Sequence, residues 1–134
     1  MSKIIVIGEK SCGKTSYIKR LITGDYPLNY EPTHAVEVYD FKHKNRQYKL
    51  WDCAGDESGL GTGYWVGAKA AILCFEDPAT IPLYLERILE CCQNIPIVTI
   101  CMKCDDEIKG KYLCTSARYC QNLYKPFDIL DSVL

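Results

Sequence analysis

The order of apolar patterns along this 134-residue chain predicts an α/β fold, a mixed and mostly parallel six-stranded sheet with helices on both faces. Three observations carry that expectation. Short unbroken apolar runs at Ile4–Ile7, Ala70–Phe75 and Ile97–Cys101 read as strands buried on both faces. Between them lie segments with apolar residues at helical spacing. The first run then passes through Gly8-Glu9-Lys10-Ser11-Cys12-Gly13-Lys14-Thr15 into a helical pattern, the G-x-x-x-x-G-K-[ST] spacing in its strand–loop–helix setting.

Each element follows in turn. The first strand covers about Lys3 to Ile7. The helix after the glycine-rich loop runs from near Thr15 to Ile22, with Ile18, Leu21 and Ile22 on one side, and stops at Gly24. A polar loop from Asp25 to His34 leads to two extended runs, Val36–Lys42 and Gln47–Trp51, which form a hairpin across Lys44-Asn45-Arg46. Glycines punctuate Gly55 to Gly63 before the buried strand Ala70–Phe75. Ile81, Leu85, Ile88, Leu89 and Cys92 then recur on one helical face. Ile97–Cys101 is the fifth strand and Tyr112–Cys114 the sixth. A last helix takes Asn122 as N-cap and Pro126 in its first turn, where a missing N–H costs little.

The composition, 48% hydrophobic and 25% charged, is that of one globular domain spanning 1–134. A net charge of −1 excludes non-specific nucleic-acid and membrane-surface binding, which need a basic excess. No secretory leader, membrane span or terminal prenylation cysteine is visible, so a soluble intracellular monomer in cytoplasm or nucleus, without membrane anchor, is expected. The nine cysteines read as reduced thiols. Cys101 and Cys104 sit three apart near a strand, facing opposite sides, and both histidines, His34 and His43, are distant in sequence.

The phosphate loop brings its own chemistry. Gly8 and Gly13 let the backbone curl so that successive amides face phosphate oxygens, with Ser11, Cys12 and Ser16 as further candidate contacts. Lys14 sets an ammonium against the outer phosphates, and Thr15 offers a hydroxyl to magnesium at a helix start that favours anions. In Leu50-Trp51-Asp52-Cys53-Ala54-Gly55, a strand-end Asp52 holds that magnesium through water and Gly55 offers its N–H to a terminal phosphate.

With these residues in place, the chain resembles the Ras-like small GTPases, most closely the nuclear-transport (Ran) branch, over nearly its whole length. The likeness includes Lys19-Arg20-Leu21-Ile22-Thr23-Gly24-Asp25, Val36-Glu37-Val38, Trp51-Asp52-Cys53-Ala54-Gly55, Asn94-Ile95-Pro96-Ile97-Val98 and Lys125-Pro126-Phe127. The resemblance implies a P-loop GTPase fold binding GTP or GDP with Mg2+. It makes Thr33 a magnesium ligand alongside Thr15 and Asp52, and lays Tyr26 across the guanine. The base-reading element becomes Met102-Lys103-Cys104-Asp105, with Asp105 accepting from the guanine N1–H and amine. Ser116-Ala117-Arg118 supplies an N–H to the guanine O6.

Three departures qualify the resemblance. Asp56 stands where the family carries the glutamine that orients the attacking water. Its charge, about 5 Å from a triphosphate charge, repels by roughly 3 kcal/mol at an effective dielectric near 20. Lys10 replaces a small glycine, either pairing with Asp56, reaching the γ-phosphate or pointing into solvent. With Lys14, these two are the candidate catalytic groups, and slow hydrolysis is expected. Met102 replaces an asparagine, and a thioether donates no hydrogen bond.

The connection before the last strand is also short. Residues 106 to 111 reach about 20 Å when extended, while a return along a five-residue strand takes roughly 17 Å. The crossover helix of the family is therefore expected to be missing. The implied function is a guanine-nucleotide switch whose partners are effectors, an exchange factor or nuclear transport receptors. The alternative is a non-catalytic decoy held in one nucleotide state. A small P-loop kinase is disfavoured, because no arginine-rich lid segment is visible.

Overall fold

The computed structural model describes residues 2–9, 12–23, 36–53, 65–92, 94–102, 108–109, 112–114 and 124–134. Its elements are β1 (Ser2–Gly8), α1 (Lys14–Thr23), β2 (Val36–His43), β3 (Arg46–Cys53), β4 (Ala70–Phe75), α2 (Ile81–Cys91), β5 (Ile97–Cys101), β6 (Ile108–Lys109), β7 (Tyr112–Cys114) and α3 (Lys125–Val133). They form one sheet in the order β2-β3-β1-β4-β5-β7-β6. The β2–β3 and β6–β7 pairs are antiparallel, and β1–β3, β1–β4, β4–β5 and β5–β7 are parallel.

Alternation along β1 explains its continuous apolar run. Ile4 and Val6 point to the face that packs Tyr17, Ile18 and Leu21 of α1 and Phe127 and Leu130 of α3. Ile5 and Ile7 point to the opposite face, with Ile81, Tyr84 and Ile88 of α2 and Trp65. Each fully buried side chain of this kind contributes about 1.5–3 kcal/mol, so neither face of β1 tolerates a polar residue. Among the described residues, no helix is long and apolar enough to cross a membrane.

Two expectations are corrected. The sheet has seven strands rather than six, because Ile108–Lys109 forms a short edge strand. The described part of the β5–β7 connection is therefore a strand, not a helix. β6 runs antiparallel to β7, with Ile108 opposite Leu113, so it carries the chain back in the plane of the sheet instead of over its face. β7 pairs parallel to β5 at Ile100↔Leu113. The second correction is the start of α3. Its N-cap is Tyr124, which makes no side-chain cap, and Pro126 is indeed in the first turn. Asn122 lies outside the described residues.

The hairpin matches expectation and docks on α3. Lys44 adopts a left-handed φ of 55° at its tip, and its ammonium lies 2.9 Å from Asp128. The ring of His43 meets the same carboxylate at 2.7 Å and stacks on Tyr124 at 5.5 Å. Arg46 lies 3.4 Å from Asp131, which also accepts from the Tyr48 hydroxyl. Hydrogen bonds from His43 and then Lys44 lower the Asp128 carboxyl from 3.8 to about 2.

A depressed carboxylate stabilises the fold above its ordinary value of 3.8 and loses that contribution as pH falls through about 2. Asp128→Asn should therefore lower the urea midpoint at pH 7. The difference from the parent should shrink steadily below that ordinary value in acid-titrated unfolding curves.

Candidate functional site

The site forms where β1 and β3 end beside the start of α1. Gly8 closes β1 opposite Cys74 of β4. A Cβ built on Gly8 would sit 2.3 Å from the Cys74 carbonyl oxygen, so the close approach requires glycine. The chain then turns, with Cys12 N–H donating to the Glu9 carbonyl at 3.2 Å. Gly13 takes φ 102°, a left-handed conformation that favours glycine. Its carbonyl accepts from Tyr17 N–H at 3.0 Å and begins α1. First-turn amides of a helix have no acceptor inside it, and the first turn of α1 carries no acidic side chain. An anion is the natural complement there.

Lys14 is 6% exposed and Asp52 0% exposed, the two buried charged side chains among the described residues, one of each sign. Charged groups are seldom buried without a chemical reason. Asp52 lies beside Val6 in the β1–β3 register, on the face that α1 covers. There its Oδ2 accepts from the Thr15 hydroxyl at 2.7 Å. A hydrogen bond to a charged acceptor contributes about 1.5–3 kcal/mol, enough to fix the side chain's rotamer. A carboxylate and a hydroxyl held together at a helix start form a hard oxygen donor set. That fits magnesium, which takes one or two carboxylates beside phosphate oxygens and water.

Gly8, Cys12, Gly13, Lys14, Thr15, Ser16 and Asp52 are thus gathered within one strand–loop–helix unit and its neighbouring strand. Lys10, Ser11, Tyr26, Thr33, Gly55, Asp56, Lys103, Asp105, Ser116, Ala117 and Arg118 lie outside the described residues.

Met102 sits differently from what its polar counterpart implied. It is 4% exposed, a member of the core that also holds Cys12, Tyr17 and Cys74. Its N–H donates to the Phe75 carbonyl at 2.7 Å. The thioether fills core space beside the phosphate loop, work suited to a flexible apolar side chain. The thiols nearby are inert by burial. Cys12 is raised to about 11 and Cys53 to about 12, in both cases chiefly by desolvation.

Glu9 is a site residue that the motif does not signal, since its position in the motif is variable. Its Oε1 accepts from the N–H groups of Glu76 at 2.8 Å and Asp77 at 3.2 Å. The available signal was its charge: an acid within a loop suited to anions needs donors of its own.

Residues 3–105 match a family model described as the Ras of Complex, Roc, domain of DAPkinase. The match runs from β1 through β5 and takes in every gathered site residue.

Two substitutions test this geometry. Gly8→Ala should destabilise by roughly 1–3 kcal/mol through overpacking against the Cys74 carbonyl, read from denaturant midpoints. Met102→Asn, although it restores the polar residue of the resemblance, should cost about 1–3 kcal/mol by burying an amide in the core.

Proposed function

The chain belongs to the Roc family of Ras-like GTPase domains, and on that premise we propose that it is a magnesium-dependent GTP/GDP switch that hydrolyses GTP slowly. Guanine-nucleotide binding and the P-loop fold come with the family. The magnesium dependence, the slow hydrolysis, a Ran-like role and a single domain over 1–134 are the further reading. Its main support is the buried pair of opposite charges, Lys14 and Asp52, flanking a Thr15 hydroxyl bonded to Asp52.

In this reading the amides from Gly8 to Ser16 hold the phosphates and Lys14 neutralises the outer ones. Thr15 and Thr33 present hydroxyls to the metal, and Asp52 orients its water. A magnesium ion held by Thr15 and Asp52 would supply positive charge to offset that of the phosphates. Gly55 contacts the terminal phosphate. Tyr26 covers the base, whose edge is read by Asp105 with Lys103, Ser116, Ala117 and Arg118 around it. Asp56 cannot orient water as a glutamine does, and it adds charge near the phosphates. Lys10 is the cation available to offset that charge.

Two loops, residues 30–36 and 52–64, would change between nucleotide states and be read by effector proteins. An exchange factor and nuclear transport receptors are the partners suggested by the Ran-like segments, in cytoplasm or nucleus. Asp56 and Lys10 favour a second reading, a decoy locked with one nucleotide.

The nucleotide that co-purifies with the chain separates these readings: GDP supports turnover, GTP a locked state, and none overturns the switch. Asp56→Gln should raise single-turnover GTP cleavage, and no rise even with Lys10→Gly would refute the account of slow hydrolysis. Chelation by EDTA should speed nucleotide release about ten-fold or more, and Asp52→Asn should reproduce most of that effect with metal present. A release rate indifferent to both would remove magnesium from the proposal.

A further inference from the structure

We infer that Glu9 is a positioning residue whose carboxylate ties the phosphate loop to the segment that launches α2, so that nucleotide retention depends on this tie. The inference rests on the nucleotide-binding reading above and names a residue outside the motif's defined positions.

The tie is two-sided. Within the loop, the Glu9 carbonyl accepts from Cys12 N–H at 3.2 Å. Across to the other segment, the single oxygen Oε1 accepts from Glu76 N–H at 2.8 Å and Asp77 N–H at 3.2 Å. Charge-assisted bonds of this kind are roughly twice as strong as neutral ones. They also draw the negative charge of Glu9 onto backbone amides that follow β4. An acid in a phosphate-binding loop opposes its ligand unless its charge is engaged elsewhere, and here it is engaged.

Asp77, one of the two residues so held, also caps the turn that precedes α2. The Asp77 side chain accepts from Ala79 N–H at 3.0 Å, and its carbonyl accepts from Thr80 N–H at 3.1 Å and from the Thr80 hydroxyl at 2.9 Å. One turn, Pro78–Thr80, then leads directly into Ile81. One residue earlier than Glu9, Gly8 is pressed against Cys74. The loop's first residues are therefore fixed to the end of β4 by strand pairing and to the two residues that follow β4 by hydrogen bonds.

The test uses the full chain with Mg2+ and fluorescent GDP. Glu9→Ala should release nucleotide about ten-fold faster, a difference of one decade in dissociation constant. Glu9→Gln keeps the acceptor without the charge and should fall between. Single-turnover cleavage of bound GTP should change far less than release. Leu130→Val in α3, a control for general destabilisation, should leave release unchanged. Hydrogen exchange adds a readout that a purely structural bond would not move: GDP should slow exchange at the Glu76 and Asp77 amides in the parent and not in Glu9→Ala.

Parent-like release from Glu9→Ala, or exchange at these amides that ignores GDP, overturns the inference alone. A parent protein that retains no guanine nucleotide overturns the functional reading and this inference together. If Glu9→Ala does not fold, Glu9→Gln carries both measurements.

Discussion

The hydrogen bond from Thr15 to Asp52 is the constraint on which the rest of the site depends. It joins the first turn of α1 to the last residues of β3, two segments that meet only because β1 pairs with β3 and then feeds α1. A carboxylate with no solvent exposure is costly unless engaged. Its partner must therefore arrive at a set height above the sheet, which fixes where the helix begins. The tight passage of Gly8 past Cys74 and the left-handed Gly13 are the backbone conditions for that arrival.

The same face is held at its far margin by different means. Phe127 and Leu130 anchor α3 in the core, while His43, Lys44, Arg46 and Tyr48 of the hairpin engage Asp128 and Asp131. Apolar burial supplies the stability, and the polar contacts at the rim select how the helix is rotated. α1 and α3 thus share one core but are oriented by separate polar groups, one buried and one partly exposed.

Much of this was legible in the residues, and the exceptions have physical causes. β1, β4 and β5 announce themselves because burial on both faces demands unbroken apolar runs. The phosphate loop is legible because its glycines, lysine and threonine act through fixed spacing. β6 escapes notice because a two-residue edge strand has no period to detect. The cap of α3 misleads because Tyr124 holds its place through stacking on His43 and Phe41 rather than through a capping side chain. Met102 reads as a lost hydrogen bond when compared with an asparagine, yet its core packing is a tertiary fact. Glu9 is hidden because its partners lie 67 and 68 positions away.

The in-plane return through β6 also bears on how the sheet is assembled. A crossover helix requires a long loop to close before its strand can pair, and such closure slows folding. Here β6 and β7 are separated by residues 110 and 111 alone, so they zip as a local hairpin. The far margin of the sheet becomes a self-contained unit that joins β5 through the Ile100–Leu113 and Cys101–Cys114 pairs. The β6–β7 contact is thus the local one at this margin, while the parallel β5–β7 contact spans the whole link.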